Sequence, residues 1–203
     1  MLHSELRSSF VIALGALLVA AVVVLADEGV TRRDAEQLRQ KVANITQFAQ
    51  RPTAQPHRTT VTENEVNAFL AYDAHNELPV GVVDPAITIL GTGRLSGRAV
   101  VDLDAVRKQR NSASLLDPMN YLTGRLPLTA TGVLKTGDGV GRFELESATV
   151  SGVPIPKTVL QQIVSHYSQT PGNPNGIGLD DPFTLPARIR EIQVLRGQAI
   201  VIQ

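Results

Sequence analysis

Apolar and polar positions alternate over several stretches in the central part of the chain. In residues 95–105 the apolar positions Leu95, Ala99, Val101 and Leu103 alternate with polar ones, a period of two that predicts a strand with one solvated face. Similar patterns predict strands over residues 86–90, 126–134, 140–150, 189–194 and 199–202. Glycine-containing turns separate most of these stretches, so we expect long antiparallel strands.

Apolar residues three and four positions apart predict helices before and after this group of strands. Thr62 and Glu65 form a capping box that opens the first helix, and Pro154 and Pro156 precede the second. The order strand, helix, strands, helix, strand predicts an α+β fold. We expect a curved antiparallel sheet packed against two or three helices, with an N-terminal membrane segment.

That segment runs from Phe10 to Ala26, 17 residues without a charge. As a helix it would measure about 25 Å, slightly less than a hydrocarbon core of about 30 Å. It is slightly longer than the roughly 7–15 apolar residues of a signal peptide. An uncleaved signal anchor and a cleaved signal peptide are therefore both open, and in either case we expect export.

The charges around the run predict the orientation opposite to export. Only Arg7 precedes it, whereas Arg32, Arg33, Arg39 and Lys41 follow, and the positive-inside rule would then place the body in the cytoplasm. A short apolar run that opens an otherwise soluble chain is nevertheless more typical of an export signal, so export remains the expectation.

The chain divides into three parts by composition: residues 1–26 as signal anchor or signal peptide, 27–58 as helical stalk and linker, and 59–203 as an α+β domain. Leu38, Val42 and Ile45 fall near helical spacing in a polar context, which suits either a stalk or a surface-packed helix. Two prolines in residues 51–58 mark the linker.

Charge and cysteine content exclude several classes of protein. Lys and Arg total 19, as do Asp and Glu, so the net charge is zero and no broad positive field favours nucleic acid. There is no Cys, which excludes disulfides, thiolate metal sites, cysteine nucleophiles and a lipoprotein attachment site.

Candidate catalytic groups are few, and each has a simpler interpretation. The four His residues lack the spacing of a zinc site, and no Gly-x-Ser-x-Gly elbow is present. Asp102 with Asp104, and Glu144 with Glu146, could form acid–base pairs, but their alternation with apolar residues favours a solvated sheet face. We therefore expect no enzyme activity, no metal and no cofactor.

Three motifs in order resemble the LmeA- and YceB-like bacterial envelope proteins, which are related to the tubular lipid-binding superfamily. They are a Thr-Glu-x-Glu-x-Asn-x-x-Leu helix start, a Val-x-Gly-x-Pro-x-Pro helix start and a short closing strand. The matching positions are Thr62, Glu63, Glu65, Asn67, Leu70, Val150, Gly152, Pro154, Pro156, Leu160, Leu185, Pro186, Ile189, Ile192, Val194 and Gly197. The resemblance covers roughly residues 59–203 and departs from relatives that carry a lipoprotein Cys.

This resemblance implies a membrane-tethered or exported protein whose sheet and helices enclose an apolar groove for acyl chains. The expected place is the bacterial inner membrane, single-pass, with the domain in the periplasm or outside, or else cleaved and exported. Headgroup candidates are Arg107, Lys108 and Arg110. Groove candidates are Phe69, Leu70, Ile87, Ile89, Leu95, Val101, Leu128, Phe143, Leu145, Leu160 and Ile163.

The same apolar residues could instead form a closed core. The chain would then be a structural or assembly subunit of a membrane complex, with the helix over residues 31–50 packed against a partner protein. Sequence alone does not separate these alternatives, because a binding pocket and a core are both lined by apolar side chains.

Overall fold

The computed structural model describes residues 29–50, 55–74, 77–110, 123–169 and 173–203. These residues form four helices, α1 (Arg32–Ala49), α2 (Glu63–Tyr72), α3 (Leu103–Arg110) and α4 (Lys157–Tyr167). They also form nine strands: β1 (Arg58–Thr62), β2 (Val82–Gly91), β3 (Arg94–Asp102), β4 (Arg125–Gly137), β5 (Val140–Val150), β6 (Val153–Pro154), β7 (Phe183–Thr184), β8 (Glu191–Leu195) and β9 (Gln198–Ile202).

The strands form two antiparallel sheets. The long sheet has the order β2-β3-β4-β5-β6, with β7 also paired to β5, and the small sheet has the order β1-β9-β8. The α+β class with antiparallel sheets is therefore confirmed. The apolar run from Phe10 to Ala26 lies outside the described residues, and no helix within them is both long and apolar enough to cross a membrane.

The small sheet was not expected as a separate unit. Its β8 strand meets the end of the long sheet through isolated hydrogen bonds rather than through a continuous ladder. Gly139 N donates to Arg190 O over 3.0 Å, and the Thr136 hydroxyl bonds both backbone groups of Ile192 at 2.8 and 3.0 Å. We name this end of the long sheet, which holds the β2–β3 and β4–β5 turns, the proximal end.

Register shifts on β2 and β5 set which side chains share a face of the long sheet. Directly opposite residues on antiparallel strands point to the same side. On β5 one extra residue lies opposite the step from Thr131 to Gly132, and it shifts the apolar residues from odd to even numbers. Leu145 and Ala148 consequently share the inner face, defined here as the face that packs against α2 and α4.

The predicted strand over residues 95–105 is too long. β3 ends at Asp102, and Leu103 begins α3, so Asp102 and Asp104 do not share a strand face. The Asp102 carboxylate accepts a hydrogen bond from Ala105 N at 3.0 Å, which is the role of a helix N-cap. That N–H, with further help from Asp104 N–H and Arg125, lowers the pKa of Asp102 below 3.8.

One buried cluster joins both sheets with α1 and α2. It includes Leu38 and Ile45 from α1, Leu70 from α2, Ile87 from β2 and Val201 from β9. Leu38 and Ile45 of α1 therefore belong to the core, and segments on both sides of residue 58 contribute to it.

The inner face at the β5 bulge has no room for a side chain on Gly132. A Cβ there would meet the ring of Phe143 and would lie 2.6 Å from Glu144 O. We expect Gly132→Ala to lower the free energy of unfolding by about 1–3 kcal/mol because of overpacking, measured by urea denaturation. Gly137→Ala on the same strand is the control, since its Cβ would meet nothing within 4 Å. Equal effects of the two substitutions would contradict this account.

Candidate functional site

Most of the predicted groove residues lie in the packed interior. Five of them belong to the main buried cluster, with Phe69 and Leu145 partly buried against it. Leu160 of α4 packs on Ala130 and Ala148 in a second cluster. The five are Leu70, Ile87, Ile89, Leu95 and Phe143.

Two predicted groove residues, Val101 and Leu128, lie elsewhere. Both are half-buried, and neither belongs to the two buried clusters or to the side chains packed against them. They lie on the inner face at the end of the long sheet opposite the proximal end, which we name the distal end. The side chain of Ile163 is outside the described part of the structure.

Strand register places further aliphatic residues around these two. We name as the distal strip the inner-face residues at this end of the five successive strands β2 to β6. Its members are Val82, Val101, Leu126, Leu128, Val150 and Val153. None of the six is fully buried, and Val153 is 66% exposed.

The opposite face of the sheet carries one apolar row at this end, between the Asp102–Arg125 pair and the Arg98–Thr129 pair. Val83 pairs with Val100, which pairs with Pro127. Further toward the proximal end that outer face carries polar groups, such as the paired hydroxyls of Ser96 and Thr131. The distal end therefore presents aliphatic surface that the described residues only partly cover.

Sequence reasoning missed Val82, Leu126, Val150 and Val153. On β2 the register shifts between Val83 and Ala86, which moves the inner-face positions from even to odd numbers. A search for uninterrupted alternation fails at such a point. The signal that could have found it is the Asp84-Pro85 pair, since Asp84 has a φ of 50° and Pro cannot donate a ladder hydrogen bond.

Helix α3, which carries the headgroup candidates, is fixed at the distal end. Asp102 N donates to Gly81 O at 2.6 Å, and Leu103 N donates to Gly124 O at 3.0 Å. A Cβ on Gly81 would meet Val106 of α3, so helix and sheet are in close contact there. Lys108 is exposed, whereas the side chains of Arg107 and Arg110 lie outside the described part of the structure.

A shallow cleft of about 400 Å³ lies at the proximal end, beside the N-terminus of α2. Glu63, which lines the cleft, already accepts the N–H of Ile89 at 2.6 Å. The cleft of about 400 Å³ is open to solvent and is not an enclosed apolar chamber. We therefore place the candidate site at the distal end. The cleft is lined by Glu63, Thr88, Ile89, Leu90, Arg196 and Gly197.

The polar residues of the first motif act within the fold. Thr62 and Glu65 form the capping box of α2, and Lys41 Nζ contacts both oxygens of Glu65 at 2.6 and 2.8 Å. The amide of Asn67 bonds both backbone groups of Ile87, accepting from N at 2.7 Å and donating to O at 2.8 Å. These contacts tie α2 to α1 and to the open edge of β2.

No protein-family model matches this chain, and no curated protein matches it either. Within the described ranges, no three His, Asp or Glu side chains converge so as to hold a metal ion. The carboxylates near the distal strip, Asp102 and Asp104, accept backbone N–H groups of Ala105 and Gly124. The arrangement offers apolar contact area beside a helix of basic sequence.

We expect Asn67→Ala to lower the free energy of unfolding by about 1–3 kcal/mol, because the N–H and C=O of Ile87 lose their partner. Asn64→Ala is the matched control, since Asn64 is an exposed residue of the same helix and gains the same helix propensity. Both variants would be compared by urea denaturation. A difference of zero between them would refute the role of Asn67 at the β2 edge.

The stability of the fold should depend on the ionisation of Asp102. Because Asp102 has a lowered pKa in the folded protein, its charge contributes stability above the ordinary value of 3.8, and this contribution is lost as the pH falls through the folded pKa. Asp102→Asn should therefore be less stable than the native chain at neutral pH and should converge with it as the pH falls through the lowered pKa of folded Asp102, measured by urea denaturation across pH. A difference in the free energy of unfolding that persists in acid would show that the Asp102 charge is not its cause.

Proposed function

We propose that this chain is a membrane-tethered bacterial envelope protein that binds one amphiphile, with an acyl chain lying along the distal strip, and that it does not catalyse a reaction. The observation that carries the proposal is the distal strip, six aliphatic residues on the inner face of five successive strands, none of which is fully buried. A kinship with the LmeA- and YceB-like proteins belongs to the same proposal.

The strip is long enough to hold an acyl chain. It crosses five strands, and four spacings of about 4.8 Å give roughly 19 Å. Hydrophobic transfer contributes about 0.8 kcal/mol per buried CH₂. A chain that buries eight to ten methylenes would gain about 6–8 kcal/mol before the costs of association.

An anionic headgroup would lie next to α3. Lys108 is exposed there, and Arg107 and Arg110 belong to the same helix.

The apolar run from Phe10 to Ala26 would be the tether. It ends three residues before Gly29, where the described structure begins. In this proposal the run is a single inner-membrane span with the domain in the periplasm or outside, and removal of residues 1–26 would release the domain as an exported protein.

The assembly-subunit alternative requires α1 to pack against a partner. The apolar side of α1 is instead turned inward, with Ala35, Leu38 and Ile45 buried. Its exposed side carries polar residues such as Gln37 and Gln40. This use of α1 argues against the partner contact of the alternative, whereas the burial of most groove candidates agrees with its closed core.

Leu128→Gln should weaken amphiphile binding about tenfold, because losing a few buried carbon contacts removes about 1–2 kcal/mol. The full chain would be released from lipid nanodiscs, and native mass spectrometry would give the ratio of lipid-bound to free protein. Val133→Gln is the control: it is half-buried on the same strand but faces the outer side, opposite Glu144.

A native chain that carries no lipid would refute the proposed function. Equal losses of lipid in Leu128→Gln and Val133→Gln would mean that binding, where present, is not on the distal strip. Because α1 contributes to the core, a fragment that begins at residue 59 is not a suitable substitute for the full chain.

A further inference from the structure

We propose that the distal end of the domain faces the bilayer and docks on anionic lipid headgroups, so that the distal strip opens toward the membrane. This inference rests on the proposed tether. Its evidence is the path of the chain through the described structure, which determines where a membrane-inserted run would attach.

The first step is the direction of α2 along the β2 edge. Glu63 at the start of α2 bonds Ile89, and Asn67, one helical turn later, bonds Ile87. The helix therefore runs from the proximal end toward the beginning of β2 at Val82. Its C-terminus points to the distal end.

The second step is the position of the N-terminus of α1. The Tyr72 hydroxyl, in the last turn of α2, donates to Val30 O at 3.1 Å, and the Arg32 guanidinium lies 5.0 Å from the centre of the Tyr72 ring. Arg39 Nε also lies 2.9 Å from the Asp73 carboxylate. The chain that leads back toward residue 29 therefore emerges at the distal side of α2.

The third step is the short distance to the apolar run. Ala26 precedes Gly29 by three residues, which span at most about 10 Å when extended. With the run to Ala26 inserted in a bilayer, the N-terminus of α1 is held close to the membrane surface. The distal end is then the nearer end of the long sheet.

The exposed groups at this end suit a lipid surface. Val153, in β6, is 66% exposed, and Val80, in the turn before β2, is 46% exposed. Arg32 and Arg33 on α1 and Lys108 on α3 are exposed, and so are Glu77 and Asp84, which lie on either side of Val80 in sequence. Exposed aliphatic residues suit a bilayer surface, and the exposed basic residues of α1 and α3 suit its anionic headgroups.

This orientation would bring the amphiphile from the bilayer to the distal strip without passage through water. The strip includes the exposed Val153 and lies next to the second buried cluster, where Leu160 packs against Ala130 and Ala148. An acyl chain leaving the bilayer would therefore contact apolar side chains throughout, and this deepens the proposed function by specifying its source of ligand.

The test uses the absence of cysteine from the native sequence. Val80→Cys and Val153→Cys place a fluorophore at the distal end, and Val140→Cys places one at the proximal end. Val80 and Val140 are both 46% exposed, so they form a matched pair. The labelled full chain would be inserted into phosphatidylcholine–phosphatidylglycerol vesicles that contain nitroxide-headgroup lipids, and fluorescence quenching would be measured after flotation.

We expect quenching several-fold stronger at residues 80 and 153 than at residue 140. Equal quenching at the three positions, or stronger quenching at 140, would overturn the orientation alone, since amphiphile binding is measured separately by native mass spectrometry. A chain that does not float with the vesicles would overturn the tether and this inference together. Cooperative urea unfolding of each variant would show that the substitutions leave the fold intact.

Discussion

The hydrogen bonds between α2 and the open edge of β2 determine how the rest of this domain is arranged. A strand edge exposes unpaired N–H and C=O groups, and here Asn67 bonds both such groups of Ile87 while Glu63 accepts from Ile89. The helix thus substitutes for a further strand. Because these bonds fix both the direction and the depth of α2, they also decide where α1 docks and which end of the sheet α1 begins at.

The inner face of the long sheet depends on this arrangement. Near the proximal end, α2 and the small sheet bury residues such as Ile87 and Leu95. In the middle, the small side chains of Ala130 and Ala148 allow α4 to approach through Leu160. The distal strip lies beyond both coverings, so its aliphatic side chains stay half-buried, and this is the physical basis for placing an amphiphile there.

Local chemistry allowed several features to be predicted from the sequence. The capping box of Thr62 and Glu65 requires only residues three apart, and it is present as expected. The strand over residues 140–150 follows from alternation and a turn sequence that favours positive φ, and Asp138 and Gly139 do adopt positive φ there. The end of β3 was mispredicted, because the hydrogen bond from Ala105 N–H to Asp102 favours a helix start over continued alternation.

The sequence by itself determined the α+β class, the order of most elements, the apolar run from Phe10 to Ala26 and the zero net charge. Only the tertiary structure decided which apolar residues are enclosed and which stay accessible. Leu95 and Leu128 have the same local pattern, yet one is buried and the other half-buried. The reason is physical: alternation specifies a face of a strand, but the covering of that face depends on bulges and on helices distant in sequence.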